Sequence, residues 1–165
     1  MRLKISLKNV IVSALLCLIL FFVPVPEIFA EAKLTRGQTV YVPAYSHVLF
    51  GDKADSFNLA VTLIVRNTDL RTPITINEIN YFDSEGKLVK NLLKKPVILN
   101  PLASTTTFIP EKDVSGGIGA NFIVKWISEK DVNAPVIEAL MIGARYGQGI
   151  SFVSPGVEIN EKPQP

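Results

Sequence analysis

From Phe57 to Arg66 the chain alternates: Phe57, Leu59, Val61, Leu63 and Val65 take one set of positions, and Asn58, Ala60, Thr62, Ile64 and Arg66 take the other. A period of two places every second side chain on one face, so this run predicts a strand with one buried face. Asn121 to Ile127 repeats the pattern, with Phe122, Val124 and Trp126 on one side. Between Pro73 and Asp83 the apolar set moves from even positions (Ile74, Ile76) to odd ones (Ile79, Tyr81). One inserted residue near Asn77-Glu78 produces that change, which predicts a β-bulge. Asp83-Ser84-Glu85-Gly86 predicts a tight hairpin turn into a strand from Lys87 to Leu93, with Gly86 supplying a positive φ. Gln38 to Tyr45, Ser104 to Ile109 and Ile150 to Val153 complete the strands. Val136 to Tyr146 is long and apolar enough for a helix, but Gly143 and the closing Gly147 favour a strand, one that a bulge could interrupt.

Proline marks the borders of these runs. Pro43, Pro73, Pro96, Pro101, Pro110, Pro135 and Pro155 all stand at their edges, where a residue that cannot donate to a ladder is tolerated. No segment carries a capped amphipathic helical stripe. Seven to nine short strands with turns between them predict an all-β fold: a single antiparallel β-sandwich, immunoglobulin-like, with a small barrel as the alternative. The expected domain runs over residues 33–159, followed by a flexible polar tail over 160–165.

Residues 1–32 follow a different pattern. Arg2, Lys4 and Lys8 precede an apolar run from Val10 to Val23; Pro24 and Pro26 end it, and Ala30-Glu31-Ala32 follows. That order predicts a secretory signal peptide, cleaved after Ala32 or after Ala30, and with it a periplasmic or cell-envelope address. A retained anchor is the rival reading. Spanning takes about 20 apolar residues, whereas Val10 to Val23 is fourteen, only ~21 Å of helix. Cys17 lies inside the apolar run behind Leu16, not behind the small residue that a lipidation site needs, so it reads as a hydrophobe of the signal.

Removal of this segment changes the chemistry left behind. The chain has 17 basic and 15 acidic residues, net +2; without residues 1–32 it has fourteen and thirteen, net +1. A near-neutral domain makes no electrostatic case for nucleic acid. Loss of Cys17 leaves no cysteine, hence no disulfide and no thiolate chemistry. His47 is the only histidine, and Gly149-Ile150-Ser151-Phe152-Val153 begins like a nucleophile elbow but lacks its final glycine. No ligand spacing suggests a metal site, and no cofactor is implied. Lys87, Lys90, Lys94 and Lys95 read as a solvated strand guarding a sheet edge. Trp126 reads as core.

The glycine-rich loop Ser115-Gly116-Gly117-Ile118-Gly119-Ala120-Asn121 is the most unusual stretch. Its amides could form an anion-binding nest, although a strand follows it where a phosphate loop needs a helix. Together with Val40 to His47, Ile64 to Asp69, Tyr81 to Leu88, Asn100 to Thr105 and Gly147 to Phe152, the string Gly116 to Phe122 resembles an uncharacterised bacterial family of exported proteins known only as a domain of unknown function. The resemblance covers roughly residues 37–159 and implies an exported single-domain protein with no assigned activity and no catalytic residues to carry over. Many relatives resemble lipoproteins; Leu16-Cys17 departs from that pattern.

Polar and glycine residues in these strings are the candidate site: Tyr45, Ser46, His47, Gly116, Gly117, Gly119, Asn121 and Gln148. The expectation is that Tyr45-Ser46-His47, the Gly116–Asn121 loop and Gly147-Gln148-Gly149 converge. Asn67 and Asp69 share the polar character and would need hydrogen-bond partners if buried. The functional expectation is a non-enzymatic binding or accessory module whose partner is an envelope protein or small ligand. A hydrolase or metal-assisted enzyme using His47 is the alternative. Oligomeric state is not legible, and membrane contact is expected only through an uncleaved signal segment.

Overall fold

Alternation drives the described chain into strands, and the computed structural model describes residues 34–145 and 147–160. The expected signal segment, Cys17 and the tail beyond Asn160 lie outside the described residues. The strands are β1 (Leu34–Pro43), β2 (His47–Phe50), β3 (Asp55–Asn58), β4 (Ala60–Arg66), β5 (Ile74–Phe82) and β6 (Leu88–Asn91). They continue as β7 (Val97–Leu99), β8 (Ser104–Ile109), β9 (Asn121–Asn133), β10 (Val136–Arg145), β11 (Gln148–Pro155) and β12 (Val157–Ile159). One sheet has the order β12-β1-β9-β5-β6, with β7 also on β5; a second has the order β11-β10-β4-β8; β2 and β3 form a separate hairpin. Every pairing is antiparallel.

The two larger sheets bury one apolar set each into a common core. Val40, Val42, Ile76, Ile79, Tyr81, Phe122, Val124 and Trp126 come from the first; Val61, Leu63, Val65, Ala139 and Met141 come from the second. This is the all-β antiparallel sandwich expected from the sequence. The bulge in β5 is present: Ile76 pairs with Trp126 but Glu78 with Lys125, and the extra residue, Asn77, lets Ile74, Ile76, Ile79 and Tyr81 all face inward. The turn at Asp83 to Gly86 is also present. Its Asp83 N–H donates to the Lys87 carbonyl at 3.0 Å, and Gly86 has φ 79°.

Two expectations are corrected. The described residues hold twelve strands, not seven to nine. Besides three-residue strands at β7 and β12 and a short β2, the run from Phe57 is divided at Leu59. Asn58 pairs with His47 of β2, whereas Ala60 pairs with Ile142 of β10. Alternation continues unbroken across Leu59, so a pattern of period two has no means of registering the change of partner. The long run from Val136 is a strand without a bulge, since its registers with β4 and β11 are continuous. Gly143 answers to close packing instead: a Cβ there would lie 2.4 Å from Phe57 Cε1 and 2.7 Å from the Asn58 carbonyl oxygen. The β2–β3 hairpin is thereby seated against β10.

Candidate functional site

Between β1 and β2 the chain crosses from the first sheet to the hairpin through Ala44, Tyr45 and Ser46, and this crossing is stapled on several sides. The Ala44 N–H donates to the Ala120 carbonyl (2.8 Å), the Ser46 N–H to the Gly117 carbonyl (3.0 Å), and the Leu59 N–H to the Ser46 carbonyl (2.9 Å). Ser46 is fully buried, its Oγ 2.9 Å from Tyr81 Oη. Burial pushes the Tyr81 phenol above its ordinary pKa, with the Ser46 hydroxyl opposing. The Tyr45 ring meets Phe152 of β11 edge to face at 5.6 Å.

Close packing accounts for Gly116 in the glycine loop. A Cβ on Gly116 would stand 2.0 Å from Tyr81 Oη, so only glycine lets the loop lie on the phenol. Two of the loop amides that an anion nest would use are engaged at home. The Gly117 N–H donates to the Val114 carbonyl (3.1 Å) and the Gly119 N–H to Ser84 Oγ (2.9 Å). The Ser84 hydroxyl in turn donates to the Gly116 carbonyl at 3.1 Å, tying the loop to the β5–β6 turn. Asn121 opens β9, paired with Pro43 and Phe82.

On the hairpin side lies a concave surface. β2 and β3 meet β11 and the end of β10 around a cavity of about 220 Å³. Val48, Phe50, Phe57 and Ile150 form its apolar wall, and Gln148, Gly149 and Arg145 its rim. Phe50 and Phe57 pack edge to face, centroids 6.1 Å apart, yet Phe50 remains 48% exposed. The Arg145 guanidinium donates to the Ser56 carbonyl at 3.4 Å. The lining has this one cation and no carboxylate. An apolar wall with a single positive rim group can seat an apolar group that carries a negative or polar end.

The expected residues are thus distributed along one path. Ser46 touches the glycine loop at Gly117, Tyr45 touches β11 at Phe152, and Gln148 of β11 lines the cavity. His47 opens β2, half-buried and paired with Asn58. Sequence reasoning missed Val48, Phe50, Phe57, Arg145 and Ile150. The available signal was Leu49-Phe50, then Gly51-Asp52-Lys53-Ala54, then Phe57: a hairpin with apolar residues on both arms.

Past the other end of β4, Asn67 and Asp69 have structural work. Asn67 Nδ2 donates to the carbonyls of Thr72 (2.9 Å), Leu99 (3.1 Å) and Asn100 (3.1 Å). The Arg71 and Thr72 N–H groups hold the Asp69 carboxyl below the ordinary carboxylate range. Among the described residues no group of three or more His, Cys, Asp or Glu side chains is placed to hold a metal ion.

Comparison with known proteins adds a family but no activity. The model of the family described as "Protein of unknown function (DUF3124)" matches residues 37–159. No curated protein matches. Among solved structures, the "Crystal Structure of Thermotoga maritima 1070" is similar at 12% identity and TM-score 0.42, over 74% of this chain and 93% of that one.

Proposed function

The chain belongs to the family described as Protein of unknown function (DUF3124), and we propose that it is a non-enzymatic binding or accessory module of the periplasm or cell envelope. The observation that carries this reading is the apolar cavity between the β2–β3 hairpin and β11, open at Phe50 and rimmed by Arg145 and Gln148. Export is supported by the basic, apolar and small-residue order of residues 1–32. Binding is favoured over hydrolysis at His47 by Ser46, the adjacent serine, whose hydroxyl is buried against Tyr81 Oη and not presented to a substrate.

Titration with anilinonaphthalene sulfonate, an apolar anion, tests the site by fluorescence. Saturable binding is expected, weakened about tenfold or more by Phe50→Asp, which puts a carboxylate into the apolar wall. His47→Ala should change affinity by less than about twofold, because His47 is not among the lining residues. A Phe50→Asp variant that binds as tightly as the parent would remove the cavity from consideration.

A further inference from the structure

A strand at the end of a sheet exposes backbone N–H and C=O groups that accept another strand unless something blocks them. In the first sheet the ends are blocked. β12 is three residues long and carries Glu158. β6 is four residues long with Lys90 inside it, and its ladder with β5 is irregular between Tyr81 and Phe82. β7 has three residues and follows Pro96. In the second sheet, β11 is the other end; its register with β10 is continuous, but it carries Gly149 and finishes on Pro155. β8, although Pro110 follows it, has no such device within the strand. Its sequence, Ser-Thr-Thr-Thr-Phe-Ile, contains no charge, proline or glycine, and its register with β4 is continuous from Ser104 to Ile109. Among the described residues no strand pairs its other side.

We propose that β8 is a self-association edge, where two copies of this chain pair antiparallel about a two-fold axis and join their four-stranded sheets into one of eight. The strand matches itself. With the axis through Thr106, Thr106 stands opposite Thr106 of the second copy, and Thr105 opposite Thr107 of the second copy. The three central cross-strand pairs are then all threonine, β-branched side chains that favour antiparallel ladders and can hydrogen-bond to one another. The axis is perpendicular to the sheet, so outward residues remain outward. Phe108, 59% exposed on that face, is then covered by Ser104 of the second copy opposite it and Thr106 of the second copy on the diagonal. An uncharged edge permits such an isologous contact, which closes at two copies, whereas a lysine or glutamate here would face itself across the axis.

Sedimentation of the full chain over a concentration series should show a two-chain mass giving way to one chain on dilution. Thr106→Lys/Phe108→Lys, both at exposed outward positions, should raise the dissociation constant at least about tenfold by setting like charges across the axis. A second measurement does not depend on that variant folding. In a Cys17→Ser background, Thr106→Cys puts two thiols on residues whose Cα atoms are about 4.5–5.5 Å apart in an antiparallel pair, a separation that a disulfide accepts. Mild oxidation should yield a covalent dimer there and none from Ile64→Cys, one strand inward from Thr106 by register. A one-chain mass at every concentration, a dimer indifferent to the lysines, or equal cross-linking at the two cysteines would each overturn the proposal. A one-chain mass would leave the edge to a strand from a different protein.

Discussion

Tyr81 shows how much of this molecule turns on single side chains. Its ring packs on Phe122 with centroids 4.9 Å apart, its hydroxyl pairs with Ser46, and Gly116 lies across it where no Cβ fits. The sequence showed Tyr81 as an inward residue of a bulged strand and Ser46 and Gly116 as unusual, but not that the three belong together. That relation joins residues far apart in the chain, and neither propensity nor period reports on such contacts. The buried phenol has a consequence for alkaline stability. Its folded-state pKa is above the ordinary value, so the folded state holds the proton more tightly than the unfolded chain. The resulting stabilisation is fully present below about pH 10, the unfolded value, and is lost as pH rises through the folded value. Chemical denaturation between neutral pH and pH 11 should show this decline. Tyr81→Phe should flatten it, at a neutral-pH cost of about 1–3 kcal/mol for the Ser46 hydroxyl left buried without its partner. An unchanged alkaline slope in Tyr81→Phe would assign the decline to other groups.

At the scale of elements, legibility depended on whether a strand kept one partner. β8 was read with its true limits because its period, its ladder with β4 and its flanking residues change together at Ser104 and Ile109. The β5 bulge was legible because an inserted residue inverts the apolar phase, which is visible in the sequence itself. The β3–β4 division was not, since Leu59 is buried and keeps the phase while the partner strand changes. The cavity depends on that division, because β3 turns aside with β2 to form its wall; the missed strand and the missed site are one omission. The β5 bulge yields a sharp contrast between two variants. Asn77→Ala retains the inserted residue and should cost no more than about 1 kcal/mol in urea denaturation. Deletion of Asn77 would turn either Ile74 and Ile76 or Ile79 and Tyr81 out of the core, and should abolish cooperative unfolding. A folded deletion variant of near-parental stability would mean that the bulge does not set the phase.

For the molecule as a whole, the described domain and the segment before it make separate demands. The sandwich has to be stable without a disulfide, since the chain has one cysteine and that cysteine lies at position 17. Its core therefore rests on packed apolar side chains, with Trp126, Tyr81 and Phe122 the largest of those fully buried. Such a fold suits an envelope module because its stability does not depend on the redox state of the compartment. Our proposal of export makes a definite statement about the N-terminus. The Ala30-Glu31-Ala32 sequence sets small residues at both positions that a signal peptidase reads, so protein recovered from its native envelope should begin at Lys33, with a start at Glu31 as the neighbouring product. Ala32→Phe/Ala30→Phe should block both products and retain the full mass. Intact-mass measurement separates the cases. Full-length protein recovered from parental cells would mean an anchored module, with the sandwich held at the membrane by its N-terminal apolar segment; a start at Lys33 would release the domain with no cysteine and a net charge of only +1. In that released form, the apolar cavity and the β8 edge would be the features through which it engages a partner.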